Sequence, residues 1–148
     1  MSHPFQQLHH VCIVVRDLDR TVAWYEKHGM GPWKDYPKGG RYAEFEVPDK
    51  ASSDAMRYKC LQLDNVEIQL CEPPPGNSPQ RRFLEAHGEG VYHLGFEVPD
   101  RDAGEAQGRA LGLPVVARGK REDGSGFAYF DTRAGAGVVL EIRKTAAA

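Results

Sequence analysis

The chain has few of the residues that build covalent or strongly charged scaffolds. Its three cysteines, Cys12, Cys60 and Cys71, are an odd set without C-x-x-C spacing. That argues against a disulfide framework and against a cysteine zinc site. Net charge is small: 19 Lys and Arg against 21 Asp and Glu leave -2. No basic field for nucleic acid or a membrane surface follows from that balance. No apolar run approaches the roughly 20 residues of a membrane span. The opening Met1-Ser2-His3-Pro4 lacks the apolar stretch of a secretion signal. The cytoplasm is the expected compartment, with neither nucleic acid nor membrane as partner.

What is present is ordinary globular material, 41% hydrophobic and 27% charged over 148 residues. That length suits a single domain, 1–148, built from one core or from two small modules.

The chain repeats itself. Leu8 to Asp19 reads L-H-H-V-C-I-V-V-R-D-L-D, and Val91 to Asp102 reads V-Y-H-L-G-F-E-V-P-D-R-D. At a constant offset of 83, His10 matches His93, Val15 matches Val98, Asp17 matches Asp100 and Asp19 matches Asp102. Further on, Val66-Glu67-Ile68-Gln69-Leu70 aligns with Val138-Val139-Leu140-Glu141-Ile142 at an offset of 72. A repeat of this kind dictates architecture.

The β-branched run from His9 to Val15 predicts a strand. Asp17 or Asp19 then caps a helix carrying Leu18, Val22 and Tyr25, and Gly29 stops it. Arg57–Leu63 and Val66–Leu70 read as a hairpin turned by Asp64-Asn65. Ser78-Pro79 opens a connecting helix over about 78–88. The second half predicts a strand at Leu94–Val98, a helix from Asp100 to Leu111 and a short strand Val115–Ala117. A polar loop from Arg118 to Gly126 follows, then a final hairpin of Phe127–Asp131 and Val138–Arg143. Thr145 to Ala148 reads as a frayed tail. The predicted fold is α+β: two βαβββ modules, about 6–72 and about 90–144, related by pseudo-twofold symmetry and curving into a mixed-sheet cup.

Alternation along the strands sorts the side chains. Val11, Ile13 and Val15 face the first helix, so His10 and Cys12 face away. Ile68 and Leu70 face the helix, so Glu67, Gln69 and Cys71 do not. In the second module the same rule leaves His93 and Glu97 on the far face of one strand, and Val139, Glu141 and Arg143 on that of the other. Burying His10, Gln69, His93 and Glu141 there is costly unless they are partnered. Two imidazoles, an amide oxygen and a carboxylate form a mixed nitrogen and oxygen set for one divalent transition metal, among Co, Ni, Zn, Mn and Fe. His9 is expected on the face opposite His10. His28 and His87 fall at helix ends, where a cationic tendency suits the dipole. Arg118, Lys120 and Arg121 suit either an anionic substrate tail or a solvated loop.

These motifs, with F-L-E-A-H-G-E-G-V-Y-H-L-G-F-E-V and G-V-V-L-E-I further along, resemble the vicinal oxygen chelate superfamily from about Gln6 to Lys144. That is the group of glyoxalases, methylmalonyl-CoA epimerases, extradiol dioxygenases and bleomycin-resistance proteins. The resemblance implies a metal ligand on the first and last strand of each module, which here are His10, Gln69, His93 and Glu141. The order His, Gln, His, Glu looks like that of the epimerases. It implies a metal-dependent isomerase or epimerase acting beside the carbonyl of a small molecule, with Glu141 moving the proton and a homodimer as the assembly. Some epimerases have a second acid–base glutamate on the strand before the second ligand; here Met56–Leu63 has no carboxylate. Glu67, Glu97, Glu44 and Lys59 are the groups left for that role, Glu67 and Glu97 foremost. A lactoylglutathione lyase is the rival enzyme, and a metal-free small-molecule-binding protein the rival of another class.

Overall fold

The computed structural model describes residues 2–37 and 40–147. Its elements run β1 (Gln7–Val14), α1 (Leu18–Lys27), β2 (Lys34–Asp35), β3 (Tyr42–Glu46), α2 (Lys50–Asp54), β4 (Arg57–Gln62), β5 (Glu67–Glu72) and α3 (Pro79–His87). They continue as β6 (Gly90–Glu97), α4 (Arg101–Ala110), β7 (Val115–Arg121), β8 (Gly126–Phe130), α5 (Arg133–Ala136) and β9 (Val139–Lys144). The class is mixed α+β. β6 and α4 repeat β1 and α1 at an offset of 83 at both ends, and β9 repeats β5 at 72.

The repeat extends to the helix caps. Asp17 accepts from the Arg20 amide at 3.0 Å and Asp100 from the Ala103 amide at 2.9 Å. Each satisfies one orphan donor of a helix start. Both helices are followed by a left-handed glycine, Gly29 at φ 84° and Gly112 at φ 83°, a conformation glycine adopts without steric cost.

The chain forms two compact units. One comprises His10–Pro37 and Pro48–Tyr92. Its strands lie in the order β2-β4-β5-β1, with β1 and β5 parallel and β4 and β5 antiparallel. The expected turn at Asp64-Asn65 is closed by the Leu63 amide on the Val66 carbonyl at 2.9 Å. Val15, Leu18, Trp33, Leu61 and Leu70 make the core, with Ile13 and Ile68 packed against it, as the alternation predicts. The stretch Asp49–Ala55 is a helical turn, α2, capped by Asp49 on the Ser52 amide. Ser78 caps α3 through the Arg81 amide.

The other unit comprises Met1–His9, Lys38–Val47 and His93–Ala148. Its strands lie in the order β6-β9-β8-β7-β3, with β6 and β9 parallel. Each unit is thus strand, helix, three strands, and the second has β3 as an extra edge strand. Val98, Ala128, Phe130 and Ile142 form its core. Gly108 stands where the first unit has Tyr25, and a Cβ there would lie 2.3 Å from Phe130. One core is filled from the helix, the other from the sheet.

Arg118 to Gly126 is not the polar loop that composition suggests. β7 runs on to Arg121 and pairs with β3. The cause lies in side-chain partners distant in sequence. Arg118 bonds Glu44, Glu46 and Glu105, and Lys120 bonds Asp102 at 2.6 Å. Each charge of this strand on the helix side has an acidic partner. Nor is the tail wholly frayed: Thr145 donates to Glu97 and the Ala147 amide to Asp123. Ala148 lies outside the described residues.

Arg101 is the least expected core residue. It occupies the place of Leu18 in the repeat and is equally buried, 1% exposed. Its guanidinium donates to the Gly119 carbonyl at 3.0 Å, to the Phe127 carbonyl, to Asp102 and to Glu105. Arg101→Ala leaves the buried Gly119 carbonyl, the partly buried Phe127 carbonyl and a nearly buried Glu105 each short of a donor. Breaking such a pair costs about 3–5 kcal/mol, readable as a lower urea midpoint. Burial raises the Glu105 carboxyl, but its bonds from Arg118, Arg109 and Arg101 outweigh that and hold it below the usual range. A depressed carboxyl contributes stability above its unfolded value of about 4.3 and loses it as pH falls through the folded value. Glu105→Gln is therefore expected to flatten the stability profile between about pH 5 and pH 3; a profile unchanged from the parent would refute the coupling.

Candidate metal centre

The repeat places one pair of candidate site residues in each unit. In the first unit the register sets His10 beside Glu67 and Cys12 beside Gln69. Parallel partners share a face, so His10, Cys12, Glu67 and Gln69 all point away from α1. His10 is 1% exposed and Gln69 2%. The Gln69 amide nitrogen donates to a Glu67 oxygen at 2.7 Å. An ionised carboxylate only accepts, so this bond fixes the amide orientation and presents the Gln69 oxygen on the other side. A His10 nitrogen and a Glu67 oxygen lie within 4.8 Å of one another. Cys60 stands opposite Gln69 on β4. All three cysteines are buried, and none of them is in a disulfide.

In the second unit the register pairs His93 with Val139 and Gly95 with Glu141. His93 and Glu141 share the face turned from α4 and are buried, with Nε2 and Oε1 3.6 Å apart. That is slightly wider than two ligands of one ion need: atoms each about 2.1 Å from a metal stand about 3.0–3.5 Å apart, so a small side-chain adjustment brings both to one ion. Burial pushes the Glu141 carboxyl up, partly offset by the charges of His93 and Arg143 and by a hydrogen bond from Tyr129. A carboxylate so desolvated is stabilised by a cation beside it. The donor set therefore fits a divalent metal.

The remaining expected residues separate by face. Glu97 accepts from the Thr145 amide and hydroxyl and lies 3.4 Å from Arg143 Nε. Glu44 pairs with Arg118 and Lys59 with Asp35. The register puts both on helix-side faces, Glu44 opposite Lys120 and Lys59 opposite Leu70. His9 approaches Arg143 at 3.3 Å. His28 caps α1 and holds the Trp24 carbonyl at 2.7 Å. His87 ends α3.

Tyr129 is a neighbour of the candidate ligands that the motifs alone do not single out. It stands opposite Glu141 on β8, and its ring lies edge-on to His93 with centroids 5.0 Å apart. Strand alternation carries the signal: Ala128 and Phe130 alternate with Phe127 and Tyr129, and only the first pair is core.

No helix among the described residues is long and apolar enough to cross a membrane. A sequence profile of the Glyoxalase/Bleomycin resistance protein/Dioxygenase superfamily matches residues 9–130. No curated protein matches the chain. Among solved structures, methylmalonyl-CoA epimerase from Mycobacterium tuberculosis is 26% identical with a TM-score of 0.71, over 99% of this chain and 93% of that one. A variant of the Streptomyces coelicolor methylmalonyl-CoA epimerase, in complex with 2-nitronate-propionyl-CoA, is 26% identical with a TM-score of 0.71, over 97% and 96%. A methylmalonyl-CoA epimerase in complex with methylmalonyl-CoA and ammonium gives the same identity, TM-score and coverage.

Proposed function

The chain belongs to the Glyoxalase/Bleomycin resistance protein/Dioxygenase superfamily, and on that premise we propose that it is a metal-dependent isomerase or epimerase that moves a proton on the carbon beside a carbonyl. The observation that carries this reading is the buried His93 and Glu141 pair, 3.6 Å apart. Its counterpart at the corresponding strands of the repeat is His10 and Gln69. In the proposal these four residues hold one divalent ion, among Co, Ni, Zn, Mn and Fe. The ion, when bound, supplies Lewis acidity to a substrate carbonyl oxygen, which makes the neighbouring C–H more acidic.

The residues divide the remaining work. Glu141 takes the α-proton and returns it. Tyr129 and His93 hold its carboxylate in place. Gln69 is neutral, so the site keeps more net positive charge than a second glutamate would leave it. Glu67, oriented by the Gln69 amide at 2.7 Å, is the second carboxylate able to exchange a proton. Glu97 holds Arg143 and the Thr145 segment and receives no proton-transfer step. The substrate is a small carbonyl compound, a thioester or a ketone. The epimerase neighbours favour a thioester, whereas the missing carboxylate on β4 argues against a mechanism copied from theirs. A homodimer belongs to the same proposal and is checked by light scattering.

Elemental analysis of the purified chain tests the metal, and solvent-deuterium exchange at carbonyl α-carbons tests the chemistry. About one equivalent of divalent metal and exchange that depends on it are expected. A chain that takes up no metal at any loading is instead a binding protein, and the enzyme reading falls.

A further inference from the structure

The face that carries His93 and Glu141 continues as an unbroken run of aromatic rings. Tyr129 meets His93, Phe127 meets Tyr129 at 5.3 Å, Tyr42 meets Phe127 at 5.5 Å, and Phe45 stacks on Tyr42 at 5.1 Å with 6° between planes. Register accounts for the run: Tyr129 opposes Glu141, Gly119 opposes both Phe127 and Phe45, and Arg121 opposes Tyr42. All four aromatic residues are half-buried, neither core nor open surface. Gly119 lets them lie down: a Cβ there would stand 2.7 Å from Phe127 and 2.9 Å from Tyr42. The rings therefore rest on the backbone as a floor. Contiguous apolar rings with a few convergent polar groups are the ordinary make-up of a small-molecule site.

The run ends on a cation. Arg121 lies over the Tyr42 ring at 4.3 Å and donates to the Tyr42 hydroxyl at 3.0 Å, the Ser125 hydroxyl at 3.3 Å and the Gly40 carbonyl at 2.7 Å. None of those partners is a carboxylate. Arg118 and Lys120, its neighbours on β7, spend their charge on the helix side. Of the three cations the sequence offers for an anionic tail, Arg121 alone faces the rings. Because the Tyr42 oxygen accepts from Arg121, its own O–H remains to donate. Burial pushes the Tyr42 hydroxyl up, against the opposing charges of Arg121 and Arg143, so the proton stays on.

We infer that this face selects the substrate: an aryl carbonyl compound with its ring on Phe127 and Tyr129 and an anionic group on the far side of the ring met by Arg121 and Tyr42, resting on the assignment of His93 and Glu141 as the reacting end. A flat ring covers the aromatic floor at little entropic cost, whereas a flexible chain must be ordered on it. A charge-assisted bond to Arg121 then fixes the length of the molecule.

Calorimetric titration of the full chain, stripped of metal, separates the parts with three probes. 4-Acetylbenzoate has ring, ketone and carboxylate; acetophenone lacks the carboxylate; 5-oxohexanoate lacks the ring. 4-Acetylbenzoate is expected to bind about tenfold more tightly than either. Arg121→Met should erase its advantage over acetophenone, and Phe127→Ala its advantage over 5-oxohexanoate. No binding of 4-acetylbenzoate, equal affinities, or a preference that survives both substitutions would overturn the inference. Binding in this pattern by a chain that exchanges no α-proton when loaded with metal would uphold it and remove the proposed chemistry instead.

Discussion

His93→Ala is expected to take bound metal from about one equivalent per chain to none that survives dialysis. Losing a residue that merely supports a ligand already costs about 10–100-fold in affinity, and His93 is assigned as a ligand itself. The fold should survive. His93 sits on the face turned from α4, outside the Val98, Phe130 and Ile142 core, so far-ultraviolet circular dichroism should be unchanged. His10→Ala, at the matching place in the repeat, should behave alike. Elemental analysis after dialysis reads both. A metal content equal to the parent's in either variant would remove the proposed site, whatever the activity.

Glu141→Gln is the sharper test of chemistry. The amide keeps the volume and one donor oxygen but cannot accept a proton. General-base contributions are worth about 10²–10⁴-fold, and the α-proton exchange rate of metal-loaded variant should fall by that much. The loss should appear in kcat with KM little changed, because the missing interaction belongs to the transition state. Glu67→Gln separates the two carboxylates. If Glu67 delivers the proton on the second face, epimerisation falls while exchange on the first face persists. Exchange at the parental rate in Glu141→Gln would assign the base to another residue.

Much of the architecture is legible in the amino-acid sequence. The offset of 83 predicts strand, capping aspartate, helix and terminating glycine twice, and all four recur at that spacing. Periodicity two puts His10, Gln69, His93 and Glu141 on the faces turned from the helices, where the strand registers also set them. These are local properties: a strand shows alternate residues to opposite faces whatever it pairs with, and a cap is written within four residues.

What stays hidden is non-local. Arg118 to Gly126 is polar and glycine-bearing and reads as a loop. Glu44, Glu46, Asp102 and Glu105, brought together from β3 and α4, make a strand of it as far as Arg121. Arg101 reads as a surface residue at a helix start, yet carbonyls of β7 and β8 meet its guanidinium and make its burial tolerable. Tyr42 and Arg121, 79 residues apart, meet only because β3 joins the edge of the second unit. The sequence by itself determined the repeat, the elements and which face each candidate ligand takes, because those follow from backbone geometry acting over a few residues. Tertiary structure alone decided which charges are neutralised, which aromatic rings form one surface and which of the three β7 cations faces it. Those outcomes depend on pairing between segments far apart in the chain, and strand alternation carries no information about partners.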